Sequence, residues 1–275
     1  LDTGRLKWYF QQTHHDVWDY DSGAPPTLFD MQVNGRRVRA VAEASKNGYL
    51  YILDRETGAP VHPIREMPVP TANAGPGQAP WPTQPIPFTS SGKPMEPVCP
   101  VVAIDIPAEQ LAKFKTAPHF TPMSQELIIA PGANGGTNYA PLSYSPRTGL
   151  LYVAAIDWPY RAGRGAKGYF SAYDPTTGEL KWRQVFEGYG QAGSVVTAGD
   201  VVFVGTGSNL AGYFHAFDAV TGEMLWKFNT GAGVFSSPAM YMVNGEPFVA
   251  VASGGGERGR RGGDLILSFG LPSRN

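Results

Sequence analysis

The sequence has 275 residues, a formal net charge of −1, 42% hydrophobic and 12% aromatic residues, with Gly 34 and Pro 25. The length allows one large domain or two ordinary ones, the turn-rich composition favours β structure, and the balanced charge gives no basis for binding nucleic acid or an anionic membrane. No apolar run approaches a membrane span, no signal peptide is recognisable, and the lone Cys99 allows neither an intrachain disulfide nor a C-x-x-C-H haem attachment.

The chain opens without Met on LDTGRLKW, residues 1–8, which reads as the middle of a repeat. The expectation is therefore the carboxy-terminal part of a longer protein. The stretch Thr13–Asp21, THHDVWDYD, follows, with two histidines, three carboxylates and two aromatics in nine residues. Buried carboxylates are costly unless paired, hydrogen-bonded or bound to a cation. Asp16, Asp19 and Asp21 thus point to a hard-cation site or a general base. The alternative is an acidic loop with Trp18 as a core anchor.

Internal repeats organise the rest. Tyr169–Trp182, YFSAYDPTTGELKW, aligns without gaps on Tyr213–Trp226, YFHAFDAVTGEMLW, at a spacing of 44 residues (Gly178 to Gly222). Residues 1–8 carry the same ending, with Gly4 and Trp8, and Tyr49–His62 is a fourth copy with His62 where Trp would stand. The run before the Asp predicts a half-buried strand, and Asp-x-x-Thr-Gly predicts a turn with glycine at positive φ. The run ending in Trp predicts the next strand, which places a large aromatic between neighbouring sheets. Further strands are predicted at Arg39–Ala44, Leu150–Ala155, Val201–Gly205 and Phe248–Ala252, and one short helix at Ala108–Lys115. A last unit is predicted from Val234–Val243, Phe248–Ser253 and Asp264–Leu271.

Units of four antiparallel strands with a period near 44 residues predict an all-β fold, a β-propeller of about four blades plus a leading strand. The start within a repeat suggests half of a larger, eight-bladed ring, with residues 1–275 forming part of one propeller domain. Residues 62–122 break the rhythm and are crowded with Pro, Gly, Ser and Thr. They predict an irregular insertion, either a lid or substrate wall, or a surface loop.

These motifs resemble the quinoprotein dehydrogenases that depend on pyrroloquinoline quinone (PQQ). The repeats are similar to that family's tryptophan-docking motifs, and HHDVWDYD resembles its H-D-x-W-D active-site segment. ASKNGYLYILDRETG resembles the following blade and GGTNYAPLSYSPRTGLLYV a third signature block. The double histidine and PTLFDM resemble the glucose dehydrogenase branch, and the Asn138 block the alcohol dehydrogenases. The resemblance covers essentially the whole chain, as the carboxy-terminal half of an eight-bladed propeller.

The resemblance implies oxidation of an alcohol, sugar or polyol, with Asp19 as catalytic base and a metal ligand. Lys46, 27 positions on (46 − 19), would donate to the quinone oxygens, and Asn138 would contact the cofactor. Without the resemblance, Lys46 and Asn138 could equally be turn residues beside glycines. His15 and Asp16 match the family's H-D pair, with a role in holding the Asp19 strand. Asp21, two positions after Asp19, marks lanthanide users among methanol dehydrogenase-like relatives, although the glucose dehydrogenase branch carries a similar spacing. Calcium is expected first and a lanthanide second. Trp8, Trp182 and Trp226 are docking residues, and Trp18 is expected in the blade core.

The family's other metal ligands, a Glu and an Asn, belong to earlier blades and have no counterpart here, and calcium wants six to eight oxygens. The missing amino-terminal half is thus an expected partner, along with a quinone or separate cytochrome as electron acceptor. A periplasmic location rests on the resemblance alone. The competing readings are a non-catalytic propeller scaffold that binds a protein partner, and an inactive fragment. A scaffold has no reason to bring Asp19, Lys46 and Asn138 to one end of the ring.

Overall fold

The computed structural model describes residues 3–72, 74–207, 211–255 and 262–271. Four antiparallel sheets follow one another along the chain, joined between the first and second by the insertion. The first sheet holds β1 (Thr27–Val33), β2 (Arg36–Ala44) and β3 (Leu50–Asp54) in that order. Asn34 and Gly35, both at positive φ, make the tight β1–β2 hairpin, as the twist of such turns requires. An outer fourth strand is reduced to the bridge Leu53–Pro60, because Pro60 and Pro63 lack the N–H that a ladder needs.

The insertion contributes the hairpin β4 (Ile64–Pro68) and β5 (Thr83–Pro87), the short helix α1 (Ala108–Leu111), and a parallel pair β6 (Lys115–Thr116) and β7 (Leu127–Ile128). The helix is half the predicted length. Pro107 starts it, and none of its residues is buried to extend it by packing.

The second sheet is complete: β8 (Ser143–Tyr144), β9 (Leu151–Asp157), β10 (Lys167–Asp174) and β11 (Glu179–Glu187). So is the third, with β12 (Ser194–Val196), β13 (Val201–Gly207), β14 (Gly212–Asp218) and β15 (Met224–Asn229). The fourth holds β16 (Ala239–Val243), β17 (Glu246–Ser253) and β18 (Leu265–Gly270). Among the described residues the repeat therefore yields two four-stranded sheets and two three-stranded ones.

The first strands of the blades lie together, with β8 against both β1 and β12, as the inner wall of an arc. The period-2 alternation of each middle strand explains how the blades stack. Leu151, Val153 and Ala155 of β9 face Phe29, Met31, Ala40 and Ala42 of the first sheet. Tyr152 and Ala154 of the same strand face Val202, Val204 and Phe217 of the third. Phe214 with Val249 and Val251 joins the third sheet to the fourth.

The docking motif repeats in detail. Asp54, Asp174 and Asp218 each turn a carboxylate onto the N–H groups of the following residues, and Gly58, Gly178 and Gly222 take φ of +76°, +79° and +75°. Trp182 pairs with Ala172 and Trp226 with Ala216, each beside a register shift. The indole of Trp8 lies on Gly58 and donates to the Arg55 carbonyl at 3.0 Å. The indole of Trp182 lies on Gly222 and donates to Ala219 at 3.1 Å. His62 does the same for the second sheet, reaching the Pro175 carbonyl at 2.7 Å beside Gly178. The missing Trp is thus replaced by a smaller ring with an equivalent donor.

No helix among the described residues is long and apolar enough to cross a membrane.

Candidate functional site

The blade connections place three loops at one end of the arc: the segment before β1, the β2–β3 turn, and the segment before β8. They contain Asp19, Lys46 and Asn138 respectively.

Asp16 organises the first loop. Its Oδ1 accepts the Trp18 N–H at 2.9 Å and its Oδ2 the Tyr20 N–H at 2.7 Å, so it clamps the backbone on both sides of Asp19. Asp19 itself has φ +68°, a left-handed conformation that short polar side chains tolerate better than most. Trp18 and Tyr20 turn inward and stack at 5.7 Å. Trp18 is buried, but against the insertion and not in a blade core: it meets Phe120 edge-on and donates to the Thr121 carbonyl at 2.8 Å. The Tyr20 hydroxyl donates to the Pro131 carbonyl at 2.6 Å, and burial raises its pKa. With these rings inside, Asp19 and Asp21 face outward, their side chains 68% and 57% exposed.

Lys46 is their shared partner. Its side chain is 9% exposed, and Nζ donates to Asp19 Oδ2 at 3.2 Å and Asp21 Oδ1 at 2.5 Å. Burial opposes the ammonium form, but the bonds to Asp21 and Asp19 outweigh it, and the Lys46 pKa lies above the ordinary lysine value.

The third loop docks on the same turn. Gly136 N–H donates to the Lys46 carbonyl at 2.8 Å and Thr137 N–H to that of Ser45 at 3.2 Å. Gly135, at φ +68°, lies flat on the Lys46 side chain, and a Cβ there would come within 2.3 Å of Lys46 Cβ. Asn138 follows, half-buried, its carbonyl against Gly23 on the Asp21 side.

The two histidines point elsewhere. His14 pairs with Glu66 at 2.8 Å, and His15 Nδ1 bonds the Ala79 carbonyl. Both tie the loop to the insertion, and neither bonds Asp19. Several contributors have little sequence signal. Asn47, fully buried, donates to the Gln12 carbonyl at 3.0 Å, Thr13 Oγ1 at 3.2 Å and the Tyr51 hydroxyl at 2.9 Å. His119 packs on Phe120, Tyr49 and Tyr20, and burial pushes its pKa down to about 3. An Asn before Gly reads as turn chemistry, and a lone His in a Pro-rich stretch reads as nothing.

Two exposed carboxylates sharing one buried ammonium can accept a proton or offer oxygens to a hard cation. Their fit to a metal is partial. A hard cation takes about six to eight oxygens, and the described residues gather no group of three or more His, Cys, Asp or Glu able to hold one.

Residues 1–164 match the PQQ glucose/ethanol/alcohol dehydrogenase β-propeller domain. The chain belongs to this family. Residues 166–259 match a second propeller family described as outer membrane protein assembly factor BamB. The chain is 32% identical to quinoprotein alcohol dehydrogenase PedE of Pseudomonas putida, over 96% of this chain and 42% of that protein. It is 39% identical to the glycerol dehydrogenase large subunit of Gluconobacter thailandicus, over 55% of this chain and 22% of that protein. The crystal structure of quinohemoprotein alcohol dehydrogenase from Comamonas testosteroni superimposes with a TM-score of 0.67 at 26% identity, over 98% of this chain and 41% of that one. A europium-containing methanol dehydrogenase gives 0.63 at 26%, over 92% and 43%. The chain thus spans less than half the length of these relatives, and its all-β arc corresponds to part of their propeller.

Proposed function

We propose that this chain carries the proton-accepting part of a quinoprotein dehydrogenase that oxidises an alcohol, sugar or polyol to the aldehyde, ketone or lactone. The observation that carries the reading is Lys46, whose buried ammonium joins Asp19 to Asp21 on the turn that also seats residues 135–138. The relatives named for alcohol and glycerol oxidation support the substrate class.

Bound PQQ would supply the two-electron acceptor for the hydride leaving the alcohol carbon. Asp19 takes the hydroxyl proton. Only its Oδ2 is bonded to Lys46, and Oδ1 has no hydrogen-bond partner among the described residues. Lys46, held charged, would donate to the quinone oxygens of bound PQQ and favour negative charge there. The Asn138 amide both donates and accepts, which suits carbonyls and a ring nitrogen on one ligand. Asp16 positions Asp19 through the flanking N–H groups. Asp19 and Asp21 would be this chain's contribution to a calcium site, with a lanthanide second, and the remaining oxygens would have to come from outside the described residues. A quinone or separate cytochrome accepts the electrons, and the location is periplasmic.

The test is PQQ binding with calcium, followed by fluorescence, for the chain and for Asp19→Ala and Lys46→Ala. Saturable binding weakened by both substitutions is the expected result. Binding only after the upstream half is supplied keeps the enzyme reading and makes this chain one part of the site. No binding in either form sinks it in favour of a propeller scaffold.

A further inference from the structure

The docking contacts between sheets have one departure. Trp8 and Trp182 lie on the glycines of the turns they meet, and a Cβ on Gly58 or Gly222 would stand 2.6 Å from the indole. His62 holds the same place between the first and second sheets, reaching the Pro175 carbonyl at 2.7 Å. Its ring stays further off: a Cβ on Gly178 would meet His62 Cδ2 at 3.5 Å, with Met95 Cε nearer at 2.7 Å. An indole has two fused rings and an imidazole one, so the exchange leaves space between these two sheets. A cavity of about 370 Å³ lies beside His62. Pockets for small molecules begin at roughly 300 Å³.

The walls come from both sheets and from the insertion. Gln32 and Asn34 stand at the β1–β2 hairpin, Thr177 on the β10–β11 turn, and Ser90 on the insertion. The Ser90 N–H donates to the Thr177 carbonyl at 2.8 Å and fixes that corner. The side chains of Gln32, Asn34 and Ser90 form no hydrogen bond among the described residues. The Thr177 hydroxyl accepts the Glu179 N–H at 3.3 Å and keeps its own proton free to donate. Val33 and Val61 add an apolar side, and among the described residues no Asp, Glu, Lys or Arg lines the space.

We infer that this cavity is a binding site for a neutral sugar or polyol, separate from the Asp19 loops. Amides and hydroxyls offer donors and acceptors together, which suits alcohol groups on one ligand. An ionised ligand would lose water here and find no opposite charge. The β1–β2 hairpin lies at the far end of β2 from Lys46, a strand of 9 residues or about 30 Å away. A ligand held by Gln32 and Asn34 on one side and Thr177 on the other joins the first sheet to the second where the smaller ring leaves them apart. Binding to the folded chain alone raises its stability. The inference does not depend on the chemistry proposed for Asp19.

The experiment follows thermal unfolding of the chain against D-glucose, with isothermal titration for affinity and gluconate as the ionised control. Expected are a saturable rise in Tm with glucose and at least ~10-fold weaker binding of gluconate. The double variant Gln32→Leu with Ser90→Ala should bind glucose at least ~10-fold more weakly; both residues are exposed and their side chains hold nothing else, so the fold is kept. His62→Trp restores the larger ring of the repeat and should abolish binding by filling the cavity. Asp19→Ala should bind glucose as the parent chain does. No saturable binding, undiminished binding in either cavity variant, or equal binding of gluconate overturns the proposal. Loss of binding in Asp19→Ala would also overturn it, because the sugar would then sit at the Asp19 loops.

Discussion

Gly222→Ala should destabilise the protein by more than its backbone angle accounts for. Gly222 has φ +75°, and its added Cβ would stand 2.6 Å from Trp182 Cδ2 and 2.8 Å from Cγ and Cε3. The left-handed conformation alone costs a non-glycine residue roughly 1–2 kcal/mol. Forcing the indole away adds an overpacking term of about 1–3 kcal/mol, and the Trp182 bond to Ala219 is put at risk. The sum is about 3 kcal/mol, or roughly 6–12 °C in Tm for a chain of this size. Gly149→Ala is the control. Gly149 has φ +71° with nothing within 4 Å of its Cβ, so only the backbone cost of about 1–2 kcal/mol applies. Thermal unfolding of both variants by circular dichroism, with tryptophan fluorescence as a second probe, gives the comparison. Equal losses at the two sites would refute the idea that the glycine–indole contact joins the blades.

Asn47→Ala should cost about 2–4 kcal/mol and loosen residues 12–13, because it strips the donor from the Gln12 carbonyl, Thr13 Oγ1 and the Tyr51 hydroxyl together; hydrogen exchange at those residues is the readout. Lys46→Met should change stability by less than ~1 kcal/mol, since both carboxylate partners are exposed, yet should weaken PQQ binding in the titration above. Acid should destabilise the third blade through His215, which is 2% exposed and stacked on Phe186 and Phe217. Burial lowers its pKa from 6.5 to about 4, so below 6.5 the unfolded chain binds the proton that the native ring refuses. Its contribution is intact above pH 6.5 and is lost as pH falls toward 4. The shift (6.5 − 4) corresponds to about 3 kcal/mol, and His215→Phe should flatten stability against pH across that window.

Much of this protein was legible in its sequence because the signals are local. An Asp-x-x-Thr-Gly turn closes on its own backbone, so Asp54, Asp174 and Asp218 announce their hairpins without reference to anything distant. The runs 151–157 and 169–174 announce strands, although the run before the Asp reads as half-buried and the structure buries both faces of β10, and the spacing of 44 residues from Gly178 to Gly222 shows that the unit repeats. The same locality explains what was not legible. That His62 does the work of a Trp depends on which carbonyl lies opposite it, 113 residues away at Pro175. That Trp18 packs on the insertion depends on Thr121, 103 residues on. Asp19, Lys46 and Asn138 stand in separate loops: packing of the segment before β1 on the β2–β3 turn of the same sheet brings the Lys46 ammonium under two carboxylates, and the second blade lays Gly135 along its side chain. Turn chemistry is decided within four residues, whereas the site is decided by register across blades.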